Sequence, residues 1–268
     1  MSLKSWLAGK SSKEVEFQNI IKQIQPKKSQ LKSLSGKLPF SKDFSMLAPY
    51  NLTISSYAMT VGTAFDYLAR FQIAQIINQN KEKSYEKLVA ERFFLFFKPI
   101  IDSKIYQKLH NKYDESIEYI TKFVHSNAHV NTELIQISYF LALLERSRRS
   151  GILSENLNSY LEKAPNEIVD DLFNLTSVFN NNFIKNIVTP ESDVIFNPHF
   201  GSCSKSVGGA DADIYIDGTL YDFKCTKKNG YVGKDWQQII SYYIFEQINL
   251  RREDKESSFN KNHEIPRW

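Results

Sequence analysis

The stretch from Gly208 to Tyr243 reads GGADADIYIDGTLYDFKCTKKNGYVGKDWQQIISYY. Its first part alternates acidic with apolar residues, which is typical of a β-strand that has two different faces. Asp217-Gly218 is a pair that favours a two-residue hairpin turn. The residues after the turn, TLYDFKCT, predict the returning strand, and apolar spacing predicts a helix over 235–250. This stretch therefore predicts a β-hairpin followed by a helix.

A two-residue turn also determines which residues lie opposite each other in the hairpin. Counting outward from the turn, Asp213 lies opposite Asp222, and Asp211 lies opposite Lys224. Because side chains alternate between the two faces of a strand, all four polar side chains are expected on one face. The hairpin is thus predicted to gather three carboxylates and one ammonium group.

Carboxylates that lie close together repel each other and lose solvation, so such a cluster is costly unless it binds something. A divalent cation removes that cost, and oxygen ligands favour Mg²⁺ or Mn²⁺ over zinc. Lys224 beside the cation can orient a water molecule or stabilise charge that develops on a phosphate. This chemistry indicates phosphodiester hydrolysis. The structural alternative is a charged, solvated face of an exposed hairpin.

The same residues resemble the motifs of the PD-(D/E)xK nuclease superfamily, and within it the RecB-like branch. Asp222-Phe223-Lys224 matches the Asp/Glu-x-Lys motif, and Gln238 to Tyr242 matches a Gln-x-x-x-Tyr helix. The Gly-x-x-Asp motif fits Asp211 by its spacing from Gly208. It fits Asp213 by the apolar residues that follow, so Asp213 is favoured and Asp211 is the alternative.

The resemblance implies a metal site and roles for its residues. It implies that Asp213, Asp222 and the Phe223 carbonyl hold Mg²⁺ (or Mn²⁺), with Asp211 as the alternative ligand. The Gly-x-x-x-His helix of the RecB-like branch fits residues 62–66, with Asp66 where the family has histidine, so Asp66 is a further candidate ligand. Catalytic roles are implied for Asp213, Asp222, Lys224, Gln238 and Tyr242. Four lysines near the motifs are candidate phosphate contacts: Lys205, Lys227, Lys228 and Lys234.

Apolar periodicity predicts a largely helical chain with its strands near the C-terminus. Helices are expected at 12–25, 54–78, 82–97, 103–125, 132–149, 153–163, 166–185 and 235–250. Strands are expected at 193–198, 210–216 and 219–226. The fold class is therefore α/β in the α+β sense, with a helical N-terminal two-thirds packed on a small mixed β-sheet.

Three regions follow from this pattern. They are a helical region 1–190 that covers the core and includes the helix carrying Asp66, a nuclease-like core 191–250, and a polar tail 251–268. The resemblance implies a sheet of restriction-endonuclease-like type. That family continues with core strands beyond the Gln/Tyr helix, whereas this sequence stops at Trp268. The expectation is either a sheet completed by 193–198 or a truncated core.

Composition and charge limit the classes of protein to which this sequence can belong. Hydrophobic residues make up 42% of the 268-residue chain, which is enough for a sizeable core and argues against wholesale disorder. The net charge of +4 is compatible with a polyanionic partner without requiring one. There is no signal-peptide pattern and no apolar run long enough to span a bilayer, so a cytoplasmic protein without membrane contact is expected. The two cysteines, Cys203 and Cys225, are expected as reduced thiols.

These observations predict a Mg²⁺-dependent deoxyribonuclease. Its DNA substrate and a role in defence against foreign DNA or in repair follow from the resemblance, and RNA is left open as a substrate. Because the sequence has no ATPase motif, any motor would be a separate partner. The alternative is a catalytically inactive or truncated nuclease-like domain that binds nucleic acid or another protein.

Overall fold

The computed structural model describes residues 3–31, 47–77, 88–225 and 232–251. The helices are α1 (Leu3–Trp6), α2 (Ser12–Ile24), α3 (Tyr57–Ile76), α4 (Arg92–Phe97), α5 (Ser103–Val124), α6 (Thr132–Ser150), α7 (Asn166–Phe179), α8 (Lys185–Ile187), α9 (Gly201–Ser206) and α10 (Gly233–Arg251). The strands are β1 (Val194–Phe196), β2 (Ile214–Ile216) and β3 (Thr219–Tyr221). Short 3-10 helices lie at Lys28–Gln30, Val89–Glu91 and Leu157–Leu161, and a π-helical turn at Asn180–Ile184 joins α7 to α8.

This arrangement confirms an α+β chain that is mostly helical with a small sheet near its C-terminal end. The sheet has the order β1-β2-β3, and both pairs are antiparallel. The expected mixed sheet is therefore not found among the residues that the structure describes. None of the described helices is long and apolar enough to cross a membrane.

The chain forms two compact units. The sheet unit contains the described residues 3–31, 194–223 and 232–251. The helical unit contains 47–77 and 88–193, together with Lys224 and Cys225. The change of unit at Asp193 lies close to the expected boundary at 190, but the described residues 3–31 group with the sheet rather than with the other helices.

The helical unit is built around α3, which packs against α5, α6 and α7. Twelve of its twenty residues are buried, as its apolar spacing predicted. A buried polar contact also joins α3 to α6, because the Tyr67 hydroxyl donates to Glu145 Oε2 at 2.5 Å. Burial first, and then the Glu145 charge, raise the pKa of Tyr67 well above its usual value. Glu145 Oε1 also accepts from Arg149 Nε, so this carboxylate has partners on both oxygens.

The sheet unit has its own apolar core. Its buried members come from the N-terminal segment, from α9 and the loop after it, and from α10: Leu3, Leu7, Phe200, Cys203, Val207, Ala210, Ala212, Tyr242 and Phe245. The Phe200 ring stacks on Tyr242 at 5.0 Å between centroids, and Phe17 of α2 stacks on Phe245 at 6.1 Å. The first two helices therefore belong to this unit because their apolar side chains complete its core.

The hairpin turn at Asp217-Gly218 has the backbone that the sequence predicted. Both residues have positive φ, at 46° and 85°, as a type I′ turn requires. The register follows from it, with Ile216 opposite Thr219 and Ile214 opposite Tyr221. The strands are shorter than predicted, however, since β2 begins at residue 214 and β3 ends at residue 221.

Two segments differ from the expected elements. Residues 153–163 were expected as a helix, but only Leu157–Leu161 is helical, as a 3-10 helix. The Ser-rich segment Gly201–Ser206, which is not among the expected helices, is the helix α9. Part of the expected helix at 82–97 lies outside the described residues, and its final part is α4.

Candidate functional site

The two hairpin carboxylates lie where β2 begins and β3 ends. Ile214 is opposite Tyr221 in the ladder, so Asp213 and Asp222 are the next residues outward on the two strands. Both side chains are half-buried. The predicted alignment of Asp213 with Asp222 therefore follows from the observed register.

The Asp213 carboxylate is oriented by the backbone of the other strand. Its Oδ2 accepts a hydrogen bond from the Phe223 N–H at 2.6 Å. On the other side, the Asp213 carbonyl accepts from the Asn197 N–H at 3.1 Å. The Phe223 amide thus donates to a side chain, a competitor for ladder hydrogen bonds, and β3 ends at Tyr221, before the predicted residue 226. It also places the Asp213 carboxylate against the residue that follows Asp222.

Gln238 and Tyr242 lie one turn apart on α10 and connect the helix to the hairpin. Gln238 Nε2 donates to the Tyr242 hydroxyl at 2.5 Å and contacts Asp222 Oδ1 at 3.4 Å. The Tyr242 hydroxyl in turn donates to the Asp211 carbonyl at 3.0 Å. Both side chains are buried, at 6% and 2% exposure. Gln238 therefore contacts the Asp222 carboxylate, and Tyr242 contacts the backbone carbonyl of Asp211.

The electrostatic environment keeps the Tyr242 hydroxyl protonated. Burial is the main cause that raises the pKa of Tyr242, and the negative charge of Asp222 adds to it, with smaller contributions from Asp213 and Asp211. The hydrogen bond from Gln238 acts in the opposite direction. A protonated hydroxyl can donate, which the bond to the Asp211 carbonyl requires.

Asp211 does not lie in β2, although the sequence predicted one continuous strand from 210 to 216. It forms an isolated antiparallel bridge with His199, and its side chain is exposed. The expected alternation persists in the burial, because Ala210 and Ala212 are buried while Asp211 is exposed. Alternation along the strand places Tyr215 on the same face as Asp211 and Asp213, but Tyr215 is 4% exposed, so this face is not open at β2.

The other predicted site residues lie outside this group. Lys224 follows Phe223 in the chain, is exposed, and is counted with the helical unit. Asp66 is half-buried on α3 of the helical unit. Lys205 on α9 and Lys234 on α10 are exposed, whereas Lys227 and Lys228 lie outside the described residues. The candidate site therefore consists of the sheet-unit residues Asp211, Asp213, Asp222, Phe223, Gln238 and Tyr242.

The donor atoms of the candidate metal ligands are of one chemical kind. Asp213 and Asp222 supply carboxylate oxygens, and Phe223 supplies a carbonyl oxygen. Such hard oxygen donors fit Mg²⁺ or Mn²⁺, which commonly keep several water ligands in proteins. Within the part of the chain that the structure describes, no group of three or more His, Cys, Asp or Glu side chains is arranged to hold a metal ion. A cation here would thus depend on two carboxylates and a carbonyl, together with water or phosphate oxygens.

Sequence reasoning did not predict the partners of the Gln/Tyr pair or the role of residues 197–199. The i, i+4 spacing placed Gln238 and Tyr242 on one helical face, but it carries no information on which strand atoms they contact. The His199–Asp211 bridge had no local signal, because Asn197 has a φ of 47° and Pro198 interrupts the strand pattern. The hydrogen bonds that hold Asp211 and Asp213 in place are therefore products of tertiary structure.

No protein-family model matches this chain, and comparisons with curated proteins and with solved structures give no match.

Proposed function

We propose that this protein is a metal-dependent nuclease of the PD-(D/E)xK type that hydrolyses phosphodiester bonds in DNA. The observation that carries the proposal is the hairpin register, which makes Asp213 and Asp222 neighbours at the ends of β2 and β3. The Asp-x-Lys sequence continues directly from that position. A register shifted by one residue would turn one carboxylate to the opposite face.

The order of elements supports a restriction-endonuclease-like core. The antiparallel hairpin of β2 and β3 is followed by α10, whose Gln/Tyr pair contacts Asp222 and Asp211, the residues that flank these strands. Three strands and one helix are a smaller core than that family has, so the type of fold is part of the proposal. The resemblance of the motifs is consistent with this order.

In the proposed site, Asp213, Asp222 and the Phe223 carbonyl would hold Mg²⁺ or Mn²⁺. When bound, the cation supplies a Lewis acid for the phosphate and lowers the pKa of a water molecule. The Phe223 N–H keeps the Asp213 carboxylate in one orientation, and Gln238 limits the rotation of Asp222. The resemblance to the Asp-x-Lys motif assigns to Lys224, the residue after Phe223, the positive charge that would orient water and stabilise the negative charge of the transition state.

The second candidate is a nuclease-like domain without activity that binds nucleic acid or another protein. Two observations favour it. No group of three metal-ligating side chains is found among the described residues, and one oxygen of Asp213 already accepts from the Phe223 amide. Binding without cleavage is the behaviour that separates this candidate from the enzyme.

A cleavage assay with four proteins tests the proposal. Wild type, Asp222→Asn, Lys224→Ala and the control Lys22→Ala, an exposed lysine of α2, are incubated with single-stranded DNA, duplex DNA or RNA. Reactions contain Mg²⁺, Mn²⁺ or EDTA. We expect cation-dependent cleavage by wild type and by Lys22→Ala. Asp222→Asn and Lys224→Ala should lose at least about 100-fold in rate, since each removes a group required in the transition state.

The controls decide between the two candidates. Equal rates for wild type and Lys224→Ala would show that any cleavage comes from a contaminant, and the nuclease proposal would fail. Retained DNA binding by an inert wild type would support the inactive domain instead. Cleavage that persists in EDTA would contradict the assigned metal ligands.

A further inference from the structure

We propose that the outer face of α4, in the helical unit, binds an amphipathic segment of a partner protein that carries apolar and acidic side chains. This inference goes beyond the proposed nuclease and does not depend on it. Three features support it: the exposure of apolar residues on α4, the contrast with the neighbouring helix α5, and the cations around the exposed residues. All residues concerned lie in the uninterrupted stretch 88–193 of the helical unit.

The sequence of α4 is apolar at almost every position, since it reads RFFLFF. Three phenylalanines of the helix are buried: Phe93, Phe94 and Phe97. A helix that is apolar all round is normally buried on all sides. In α4, however, Leu95 is 79% exposed and Phe96 is 50% exposed. One side of α4 therefore completes the core, and the other presents apolar side chains to solvent.

The exposed residues of α4 lie on one face. Arg92, Leu95 and Phe96 are spaced i, i+3 and i+4, which places their side chains together. The chain then turns, with the Ile100 N–H donating to the Phe97 carbonyl at 3.0 Å. Ile100 is 68% exposed at this end of the helix. We call the following residues the α4 surface: Arg92, Leu95, Phe96, Lys98, Ile100 and Arg148.

The neighbouring helix α5 has the opposite character. Its exposed residues are all polar: Ser103, Lys104, Gln107, Lys108, Asn111, Asp114, Glu115, Glu118 and Lys122. This is the usual pattern of a helix with one solvated face. A single exposed apolar residue needs no explanation, but several on one helical face mark an interaction site. The α4 surface therefore differs from an ordinary solvated helix.

Cations surround the apolar residues of the α4 surface. The Arg148 guanidinium of α6 lies over the Phe96 ring, with Cζ 4.9 Å from the ring centroid. Arg92 begins α4, and Lys98 follows its last residue. Lys98 Nζ lies 6.0 Å from the centroid of the Tyr106 ring on α5. Positive charge is thus present at both ends of α4 and on the side towards α6.

The acidic residues nearby leave this positive charge in excess. The Asp102 carboxylate caps α5 by accepting from the Lys104 N–H at 2.9 Å and from the Ile105 N–H at 3.3 Å. Glu145 of α6 already accepts from Arg149 and from a tyrosine of α3. Glu91, just before α4, is an exposed carboxylate, and it faces three cations of the α4 surface.

These properties determine the chemistry of the partner. A guanidinium that stacks on a ring keeps its in-plane N–H groups available for a carboxylate. Apolar anchors flanked by carboxylates would therefore match both parts of the α4 surface. A second copy of this chain fits less well, because a two-fold interface places Arg148 against an equally positive surface. Nucleic acid would match the charge but would leave Leu95 and Ile100 without apolar partners.

Selection from a random peptide display library on the full chain tests this inference. Peptides that bind wild type are expected to combine leucine, isoleucine or phenylalanine at helical spacing with an excess of aspartate and glutamate. A synthetic peptide of the most enriched sequence, labelled with fluorescein, then gives Kd by fluorescence anisotropy. We expect Kd to rise about 10-fold or more for Leu95→Ser and for Arg148→Glu.

Two substitutions on α2 of the sheet unit are the matched controls. Ile20→Ser replaces an apolar residue that is 52% exposed, and Lys22→Glu reverses an exposed charge. Both should leave Kd within about twofold of wild type. Because Leu95 is largely exposed, Leu95→Ser should keep the melting temperature within about 2 °C of wild type. Ile100→Ser is a second variant that should weaken binding at an unchanged melting temperature.

Several outcomes would overturn the inference. No enrichment, or enriched peptides without an excess of acidic residues, would refute the chemistry of the partner. Equal affinity of Leu95→Ser and wild type would place the peptide elsewhere. Association of wild type in sedimentation velocity that Leu95→Ser abolishes would assign the α4 surface to a second copy. Binding of labelled single-stranded DNA or of phosphatidylserine vesicles that Arg148→Glu abolishes, with no peptide enriched, would assign it to nucleic acid or to lipid.

Discussion

Replacing Tyr242 by phenylalanine removes one oxygen atom from the sheet unit and keeps the ring that stacks on Phe200. The side chain is 2% exposed. Its hydroxyl accepts from Gln238 at 2.5 Å and donates to the Asp211 carbonyl at 3.0 Å. The substitution therefore tests the hydrogen bonds between α10 and the strands without opening an apolar cavity.

The expected loss of stability follows from those two bonds. Each contributes about 0.5–1.5 kcal/mol to the free energy of unfolding, and a buried group left without its partner costs about 1–3 kcal/mol. Gln238 keeps its contact with Asp222 Oδ1, so the loss of its bond to the Tyr242 hydroxyl leaves its amide only partly without a partner. We expect Tyr242→Phe to lower the free energy of unfolding by about 2 kcal/mol. With a urea m-value of about 2 kcal/mol/M, the unfolding midpoint falls by about 1 M.

Urea unfolding followed by tryptophan fluorescence measures this effect, because Trp6 and Trp236 both lie in the sheet unit. Trp6 packs edge-on against Phe17 in its core, so its emission reports unfolding of that unit. The matched control is Tyr243→Phe at the next position, where the side chain is 42% exposed. The control should change the free energy of unfolding by less than about 0.5 kcal/mol. Equal stabilities of the two variants would refute the proposed hydrogen bonds.

The free energy of unfolding of Tyr242→Phe and of Tyr243→Phe should depend differently on pH. The pKa of Tyr242 is raised by burial and by the Asp222 charge, so the unfolded chain loses this proton at a lower pH than the folded chain does. The stabilising effect is complete below about pH 10, the usual tyrosine value, and decreases as the pH rises further. One such group contributes a slope of about 1.4 kcal/mol per pH unit. Wild type and Tyr243→Phe should show that contribution, and Tyr242→Phe should lack it.

Backbone and core substitutions give further expectations, measured by urea unfolding. Gly218→Ala should cost about 1–2 kcal/mol, because its φ of 85° is unfavourable for alanine; no loss would contradict the turn. Gly62→Ala should instead stabilise the helical unit by about 0.5–1 kcal/mol, since it lies within α3 and a Cβ there would contact nothing within 4 Å. Phe200→Ala should cost about 3–5 kcal/mol and Phe200→Leu clearly less. Equal losses for the two would show that ring packing is unimportant there.

The hairpin could be predicted from the sequence because its determinants are local. Asp217 and Gly218 both tolerate positive φ, and a two-residue turn leaves one register for the flanking residues. The alignment of Asp213 with Asp222 depends on no other part of the chain. For the same reason, most helices with clear apolar spacing begin and end near their expected residues.

The lengths of the strands could not be predicted because contacts of side chains and irregular backbone end the regular hydrogen bonds between strands. The Phe223 N–H donates to the Asp213 carboxylate, and Asn197 adopts a left-handed conformation. The helix α9 is a similar case, because Ser204 stabilises it through contacts beyond the helix. Its hydroxyl accepts from the Phe200 N–H at 2.8 Å and donates to the Ala210 carbonyl at 2.6 Å. Local apolar periodicity does not encode such contacts.

The hydrogen bonds around the hairpin also indicate how the site is ordered. Asp213 is held by a backbone amide of the facing strand, and Asp222 is contacted by a buried glutamine that is itself held by Tyr242. The 2.6 Å bond from the Phe223 amide defines the orientation of the Asp213 carboxylate, and the 3.4 Å contact from Gln238 restrains Asp222 more weakly. A ligand that binds both carboxylates would therefore lose less conformational entropy than one that must first order them. In the proposed nuclease this preorganisation would lower the entropic cost of binding a cation, whereas in the inactive candidate the same bonds would serve only to hold the hairpin against α10.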